Sequence, residues 1–544
     1  MASAAPHAAP AAGPLAEHRI HPAAALGFLF VLLAGIVFAG TNVALDTRDA
    51  GEPLAIGAFA FLGLALLVAL AFEFVNGFHD TANAVATVIY THSLRPVPAV
   101  LWSGGWNFVG VVASSGAVAY SIVTLLPVDL VLGVGSAAGY AMIFALLIAA
   151  LIWNLGTWWL GLPNSSSHAL IGSVLGVGLA NQLIAGAGGG AGVDWGQAKS
   201  VLLALLVSPV IGFLGAGGLL LAMKRLVRDR QLYEQPKGDA PPPRGIRALL
   251  IFTCTAVSFA HGGNDGQKGM GLIMLILIGI APTAYALNRT MPDSSTPGFV
   301  QTAARAQAAF GARAGGERVA PAEAAAILRQ AIRTRDADHP RVHAALATEA
   351  GIISADLKAY GSLRRVPAAA TRNLRNEMYL TLDASRLLTA DEAQARRIFP
   401  NGGDRAVTAY EGLLERGTRY IPTWVKVTVA LALGLGTMIG WRRIVVTVGE
   451  KIGKQHLTYG MGASAELIAA ATILLAQVKG MPVSTTHILS SGVAGTMAAD
   501  GAGLQPSTVR NIVLAWVMTL PAAMALAGML YWLLLTLVHA AGLG

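Results

Sequence analysis

Residues 258–271, SFAHGGNDGQKGMG, set His261, Asn264, Asp265, Gln267 and Lys268 among five glycines, between the apolar runs ALLIFTCTAV (248–257) and LIMLILIGIA (272–281). Asp265 and Lys268 are ionisable groups in a setting where an unpaired charge is costly, so they are expected to be paired and to serve a function. A Gly-rich polar backbone among apolar residues leaves N–H and C=O groups without intrahelical partners, which hydrocarbon tolerates only where protein or an aqueous cavity surrounds them. The segment is therefore expected to break its helix. Exposed carbonyls and side-chain oxygens would then meet a cation, and a half-helix N-terminus an anion. Glycine permits the positive φ and the close approach that such a break needs. The competing reading is a buried Asp–Lys pair that only holds a bundle together.

A second copy of the pattern argues against that alternative. NGFHDTANAVAT (76–87) aligns without gaps to HGGNDGQKGMGL (261–272), with Gly77 on Gly262, His79 on Asn264, Asp80 on Asp265 and Asn83 on Lys268. Another duplication follows: PNSSSHALIGSVLG (163–176) aligns to PVSTTHILSSGVAG (482–495), His168 falling on His487. Ser165, Ser166 and Ser167, with Ser484, Thr485 and Thr486, have the look of helix N-termini, where hydroxyls cap, free N–H groups point outward and the dipole favours an oxyanion. One such stretch alone would be an ordinary N-cap. Its duplication beside apolar segments too short to span points to re-entrant hairpins. His168 and His487 either titrate in a proton pathway or fix the hairpins by hydrogen bonds.

The elements that must position these residues are membrane helices. The chain has 544 residues, 54% hydrophobic and 12% charged, and a mean hydropathy of +0.59, which excludes an ordinary soluble domain. A hydrocarbon core of ~30 Å needs ~20 helical residues. Runs of that order occur near 24–42, 54–76, 97–125, 138–162, 199–223, 420–441, 461–479 and 508–541, with shorter or interrupted ones at 77–94, 166–185, 246–287 and 484–498. An all-α polytopic membrane protein follows, and the lipid bilayer is its first partner.

The two duplications have offsets of 185 and 319 residues, so 134 residues are inserted in the second half. Composition locates them: 288–419 is polar, Ala- and Arg-rich, and lacks a span, while APAEAAAILRQAIRTR (320–335) and VPAAATRNLRNEMYLTLDASRLL (366–388) have the spacing of amphipathic helices. The expected organisation is a disordered tail (1–23) with nothing cleaved, a first transmembrane repeat (24–223), a basic loop (224–247), the start of a second repeat (248–287), a small inserted helical domain (288–419) and the rest of the second repeat (420–544). The net charge of +9 belongs to basic loops and the insertion and does not call for nucleic acid. Residues 224–247 hold seven Lys or Arg against three acids and, with 441–454, are assigned to the cytoplasm. A single span at 420–441 then puts the insertion outside, and 248–287 crosses once as a helix broken at its GGND segment. The single cysteine, Cys254, excludes an intramolecular disulfide and reads as packing.

GFHDTANAVATVIYTHSLRP (77–96) and SFAHGGNDGQKGMGLIMLILIGIAP (258–282) resemble the two signature repeats of the inorganic phosphate transporter (Pit) family, in particular its bacterial low-affinity branch. The resemblance extends to both hairpins and leaves out the N-terminus and much of the insertion. It implies inverted repeats with broken helices and two hairpins around a midplane site, importing inorganic phosphate across the inner membrane. In that branch it implies proton coupling, entry as a neutral divalent metal phosphate and no cofactor; a homodimer is compatible with it. Cation and phosphate roles carry over to Asp80, Asn83, Asn264, Asp265 and the hairpin hydroxyls. His79 and Lys268 depart from the sodium-coupled pattern, an Asn before the Asp and another three residues after it in both halves. An ammonium in place of that trailing Asn would repel Na+, which favours protons, with His79, His168 and His487 as relay candidates. Protein ligands for a metal are not indicated. A sodium-coupled or a sulfate permease on the same fold is the alternative. An intramembrane lipid phosphatase lacks HExxH or a nucleophile motif, and a channel needs no duplicated half-sites.

Overall fold

The computed structural model describes residues 22–123, 125–126, 128–185, 193 and 195–542; the side chains at 24, 80–83, 128, 129, 185 and 197 lie outside that description. The tail expected over 1–23 is outside the described residues up to residue 21.

In chain order the helices are α1 (Pro22–Asp49), α2 (Ile56–Tyr90), α3 (Pro96–Ala113), α4 (Ala117–Val123), α5 (Val128–Leu132), α6 (Ala137–Trp159), α7 (Ser166–Ala185), α8 (Trp195–Leu226), α9 (Arg244–Ile280) and α10 (Pro282–Tyr285). Then come α11 (Thr296–Arg313), α12 (Pro321–Thr334), α13 (Pro340–Tyr360), α14 (Ala368–Thr389), α15 (Glu392–Ile398) and α16 (Gly403–Thr418), followed by α17 (Thr423–Thr437), α18 (Arg442–Val446), α19 (Tyr459–Val478), α20 (Thr485–Asp500) and α21 (Pro506–Ala540). Among the described residues eight helices are long and apolar enough to cross a membrane, and two bent pairs, α3 with α4 (74°) and α17 with the helix Arg442–Lys451 (58°), would raise the number to 10. This is a multi-pass, all-helical membrane protein.

One expectation is corrected. The GGND segment does not break its helix: α9 runs unbroken through 258–271, and none of its glycines has positive φ. The runs expected at 54–76 and 77–94 likewise join in one helix, α2, which covers Ile56–Tyr90. The breaks lie instead at Ser114–Gly116, where Gly116 has φ +90°, and after Thr437. The motif glycines serve close approach. A Cβ at Gly262 would stand 2.1 Å from the Asn107 carbonyl oxygen, and one at Gly110 the same distance from that of Phe259, so α3 and α9 cross at backbone contact.

The same contact recurs between α2 and α17. A Cβ at Gly436 would meet the Phe74 carbonyl oxygen at 1.9 Å and one at Gly77 that of Leu433 at 2.6 Å; Phe74 and Gly77 precede Phe259 and Gly262 by 185 residues. The helices behind the duplicated polar tips exchange partners: α7, expected to be too short to span but one of the eight long enough to cross, packs on α21, and α20 on α8. At those crossings a Cβ at Gly176 would lie 2.1 Å from the Met524 carbonyl oxygen and one at Gly495 2.0 Å from that of Phe213. Glycine is required at each of these four crossings.

Helices α11 to α16 pack mainly on one another over a core that includes Phe299, Phe310, Leu328, Leu346, Ile353 and Tyr410. The two helices expected within this stretch are α12 and α14. The other four carry Ala and short apolar spacing that sequence periodicity did not separate. Arg375 of α14 donates to the Val131 carbonyl at 3.3 Å, which docks these helices onto α5.

Candidate functional site

Helix α9 presents His261, Asp265 and Lys268 on successive turns, all buried. Lys268 Nζ lies 2.6 Å from Asp265 Oδ2, and His261 Nε2 lies 3.5 Å from the same oxygen. The other ring nitrogen of His261, Nδ1, is 2.8 Å from Asn107 Oδ1 on α3. Two buried charges are therefore paired, as their cost requires. Gln267 has a structural part, accepting from the Val118 N–H at the start of α4 (2.9 Å). Asn264 donates to the Met481 carbonyl (3.3 Å), tying α9 to the loop that leads into α20. Among the described residues no hydrogen-bond donor meets the buried acceptors Asp265 Oδ1 and Asn264 Oδ1.

The hairpin tips reach this cluster. Ser165 caps α7 by accepting from the His168 N–H (3.2 Å), and Ser484 caps α20 by accepting from the His487 N–H (3.1 Å). Such caps fix the first turn and leave the remaining N–H groups of the turn facing outward. Ser167 Oγ donates to the Val483 carbonyl (2.7 Å), so the two tips touch. Ser166 Oγ donates to Asp265 Oδ2 at 3.4 Å. Two helix N-termini thus converge beside a buried carboxylate and ammonium. Thr485 and Thr486 are buried in the first turn of α20.

The histidines are built into the scaffold. The His168 and His487 rings lie 4.4 Å apart, His487 stacks on Trp516 at 4.1 Å, and His168 Nδ1 sits 2.9 Å from Ser165 Oγ. His79 Nε2 lies 2.9 Å from the Asn154 carbonyl of α6. Asn154 Oδ1 accepts from Asn164 (3.1 Å), whose own Oδ1 accepts from Thr519 (2.6 Å), so His79 is linked to the loop before α7. Asp80 and Asn83 occupy α2, but their side chains lie outside the described residues.

Sequence reasoning missed two carboxylates. Glu73, on α2, is fully buried against α9: a Cβ at Gly269 would stand 2.3 Å from its Cγ. Asn76 Nδ2 is 3.5 Å from its Oε2. Glu466, on α19, accepts from Thr253 Oγ1 at 2.5 Å. The signal was available, since each is an acid inside a run apolar enough to span a membrane. Among the described residues no group of three or more His, Cys, Asp or Glu is placed to hold a metal.

Residues 76–527 match the model of the phosphate transporter family. The chain is 42% identical over 500 residues to the low-affinity inorganic phosphate transporter PitA of Escherichia coli (strain K12), covering 87% of this chain and 97% of that protein. It is 41% identical over 538 residues to PitB of the same organism (89% and 99%) and 37% identical over 498 residues to the low-affinity inorganic phosphate transporter of Buchnera aphidicola subsp. Acyrthosiphon pisum (87% and 96%). A solved structure described as the sodium-dependent phosphate transporter aligns with 88% of this chain and all of that one, at 19% identity and a TM-score of 0.46.

Proposed function

We propose, because the chain belongs to the phosphate transporter family, that it imports inorganic phosphate by proton symport across the bacterial inner membrane, taking it up as a neutral divalent metal phosphate. It is a transporter and not an enzyme. The observation that carries the phosphate half of the reading is the meeting of the α7 and α20 N-termini beside Asp265 and Lys268. Helix N-termini offer N–H donors and a positive dipole end to an oxyanion, and Ser165, Ser166, Ser167, Ser484, Thr485 and Thr486 add hydroxyls. Phosphate near neutral pH also carries a proton that it can donate to Asp265. Sulfate does not, so the carboxylate selects between two anions of similar shape.

Asp80, Asn83, Asn264, Asp265 and Lys268 are assigned to coupling. Lys268 stands where Asn83 stands in the first half, and its ammonium already fills the counter-charge position beside Asp265. That supports protons over sodium. His79, His168 and His487 are assigned to holding the hairpins, because their rings are engaged in stacking and hydrogen bonds. The matched crossings of α3 with α9 and α2 with α17, and of α7 with α21 and α20 with α8, support an inverted repeat in which α7 and α20 belong to the hairpins. Residues 288–419 are assigned to an extramembrane helical domain on the outer face, and the 224–247 loop to the cytoplasm.

The test is transport by the purified protein in proteoliposomes. An inwardly directed proton gradient with Mg2+ present is expected to drive accumulation of labelled phosphate, with no gain from a sodium gradient and no accumulation of sulfate. Sodium-dependent accumulation would overturn the coupling assignment. For the tips, Ser166→Ala and Thr485→Ala each remove a donor to a charged group worth ~1.5–3 kcal/mol, so the half-saturation constant is expected to rise roughly ten- to a hundredfold. Unchanged constants in both variants would take the tips out of the site.

A further inference from the structure

Glu73 stands out as a group that the assigned roles leave unused. It is fully buried on α2 with its carboxylate against Gly269, the residue after Lys268. Among the described side chains, the charged groups that bear on it are Lys268 and Asp265, both on α9. The other helices packed on α2 add little. Helix α3 has no ionisable residue; Tyr140 of α6 donates to the Gly279 carbonyl and Lys426 of α17 to the Ser114 carbonyl. Glu466 of α19 is held by Thr253, His487 of α20 is stacked on Trp516, and Asp500 of α20 pairs with Lys224. Arg442 and Arg443 of α18 lie over the rings of Trp441, Trp158 and Trp159.

The described charges of the cluster do not balance. One ammonium faces two carboxylates, and a dry interior penalises the uncompensated negative charge. Asp265 is the carboxylate that holds Lys268, at 2.6 Å, with Ser166 and His261 also on the same oxygen. Among the described residues Glu73 meets only weak donors, Asn76 at 3.5 Å on Oε2 and the Gly269 backbone. A proton on Glu73 balances the described charges; its departure leaves one negative charge among them that another cation or a protonated substrate must answer.

We propose that Glu73 is the residue that carries the coupled proton. The carboxylate accepts one H+ from the outer side with substrate and returns it to the inner side after release, with no bond in the substrate broken. Glu73 thereby works with Asp265, which keeps Lys268, and the inference rests on the proton-symport reading above.

Glutamine keeps the shape of the protonated acid and cannot release a proton. In proteoliposomes Glu73→Gln is expected to retain exchange of internal for external labelled phosphate while accumulation driven by a pH gradient falls at least about tenfold, a split that a merely structural loss does not produce. Gradient-driven accumulation at the wild-type level, or loss of exchange together with accumulation, would overturn the proposal. Glu73→Asp supplies an independent arm: it retains gradient-driven accumulation, with a pH profile displaced from that of wild type while the profile of exchange is not. Superimposable accumulation profiles would likewise overturn it. Wild-type protein that exchanges phosphate but does not accumulate it under a pH gradient would instead refute the symport reading, independently of Glu73.

Discussion

Asp265→Asn abolishes phosphate accumulation while the protein remains in the membrane. Asp265 is the point at which three things meet: the Lys268 ammonium at 2.6 Å, the Ser166 hydroxyl of the α7 tip and the His261 ring. An amide in its place keeps the volume and removes the charge, so the ion pair, the acceptor for a substrate proton and part of the coupling balance go together. Removing one member of a buried pair costs about 3–5 kcal/mol, because the remaining charge is left uncompensated. Here Glu73 lies against Gly269, the residue after Lys268, so a second carboxylate remains close to the ammonium and the fold is expected to survive. The expected loss of uptake is at least about a hundredfold, corresponding to roughly 2.7 kcal/mol. Labelled phosphate uptake into cells, normalised to the amount of protein in the membrane, measures it. Asp80→Asn belongs to the same class through the repeat. Accumulation by the Asp265 variant within about threefold of wild type would remove the residue from the site.

That result depends on a site whose members were unevenly legible. The duplications announced themselves because the same residue types recur at one offset, and Asp265 and Lys268 stood out as charges in apolar sequence. The pairing of the two, the N-caps of α7 and α20, and the family were all readable from motifs. Glu73 escaped because it sits seven residues before Asp80, outside the glycine motif, in what reads as an uninterrupted span. Glycine itself was misread: it serves either to bend a backbone or to let two backbones touch, and spacing within one segment does not distinguish them. The distinction lies in the neighbour. Asn107 opposite Gly262 and Phe259 opposite Gly110 belong to helices about 150 residues apart in sequence, and only the fold brings them to contact. The bend at Gly116 was missed for the complementary reason, since SSG within a long apolar run gives no hint that the chain turns there.

Lys268→Asn is expected to convert the ion dependence of whatever transport survives. In the wild-type protein the ammonium is fixed three residues beyond Asp265, one helical turn away, and fully buried. A sodium ion brought to the same carboxylate would meet that charge at close range in a poorly screened interior, where like charges cannot be accommodated together. Wild-type uptake should therefore be indifferent to a sodium gradient. Asparagine removes the positive charge, supplies a neutral side-chain oxygen and restores the Asn–Asp–x–x–Asn order of the sodium-coupled pattern across 264–268. It also leaves Asp265 and Glu73 without their shared counter-charge, so a cation becomes favourable where one was excluded. Surviving uptake should then rise on adding an inward sodium gradient, by about tenfold if the ion supplies ~1.4 kcal/mol of net stabilisation to the loaded state. The measurement is initial uptake in proteoliposomes with sodium or choline outside at constant pH gradient. If Lys268 acts only as a structural partner of Asp265, the variant loses activity to the same degree with either cation. A wild-type protein already stimulated by sodium would show that the ammonium does not guard the position at all.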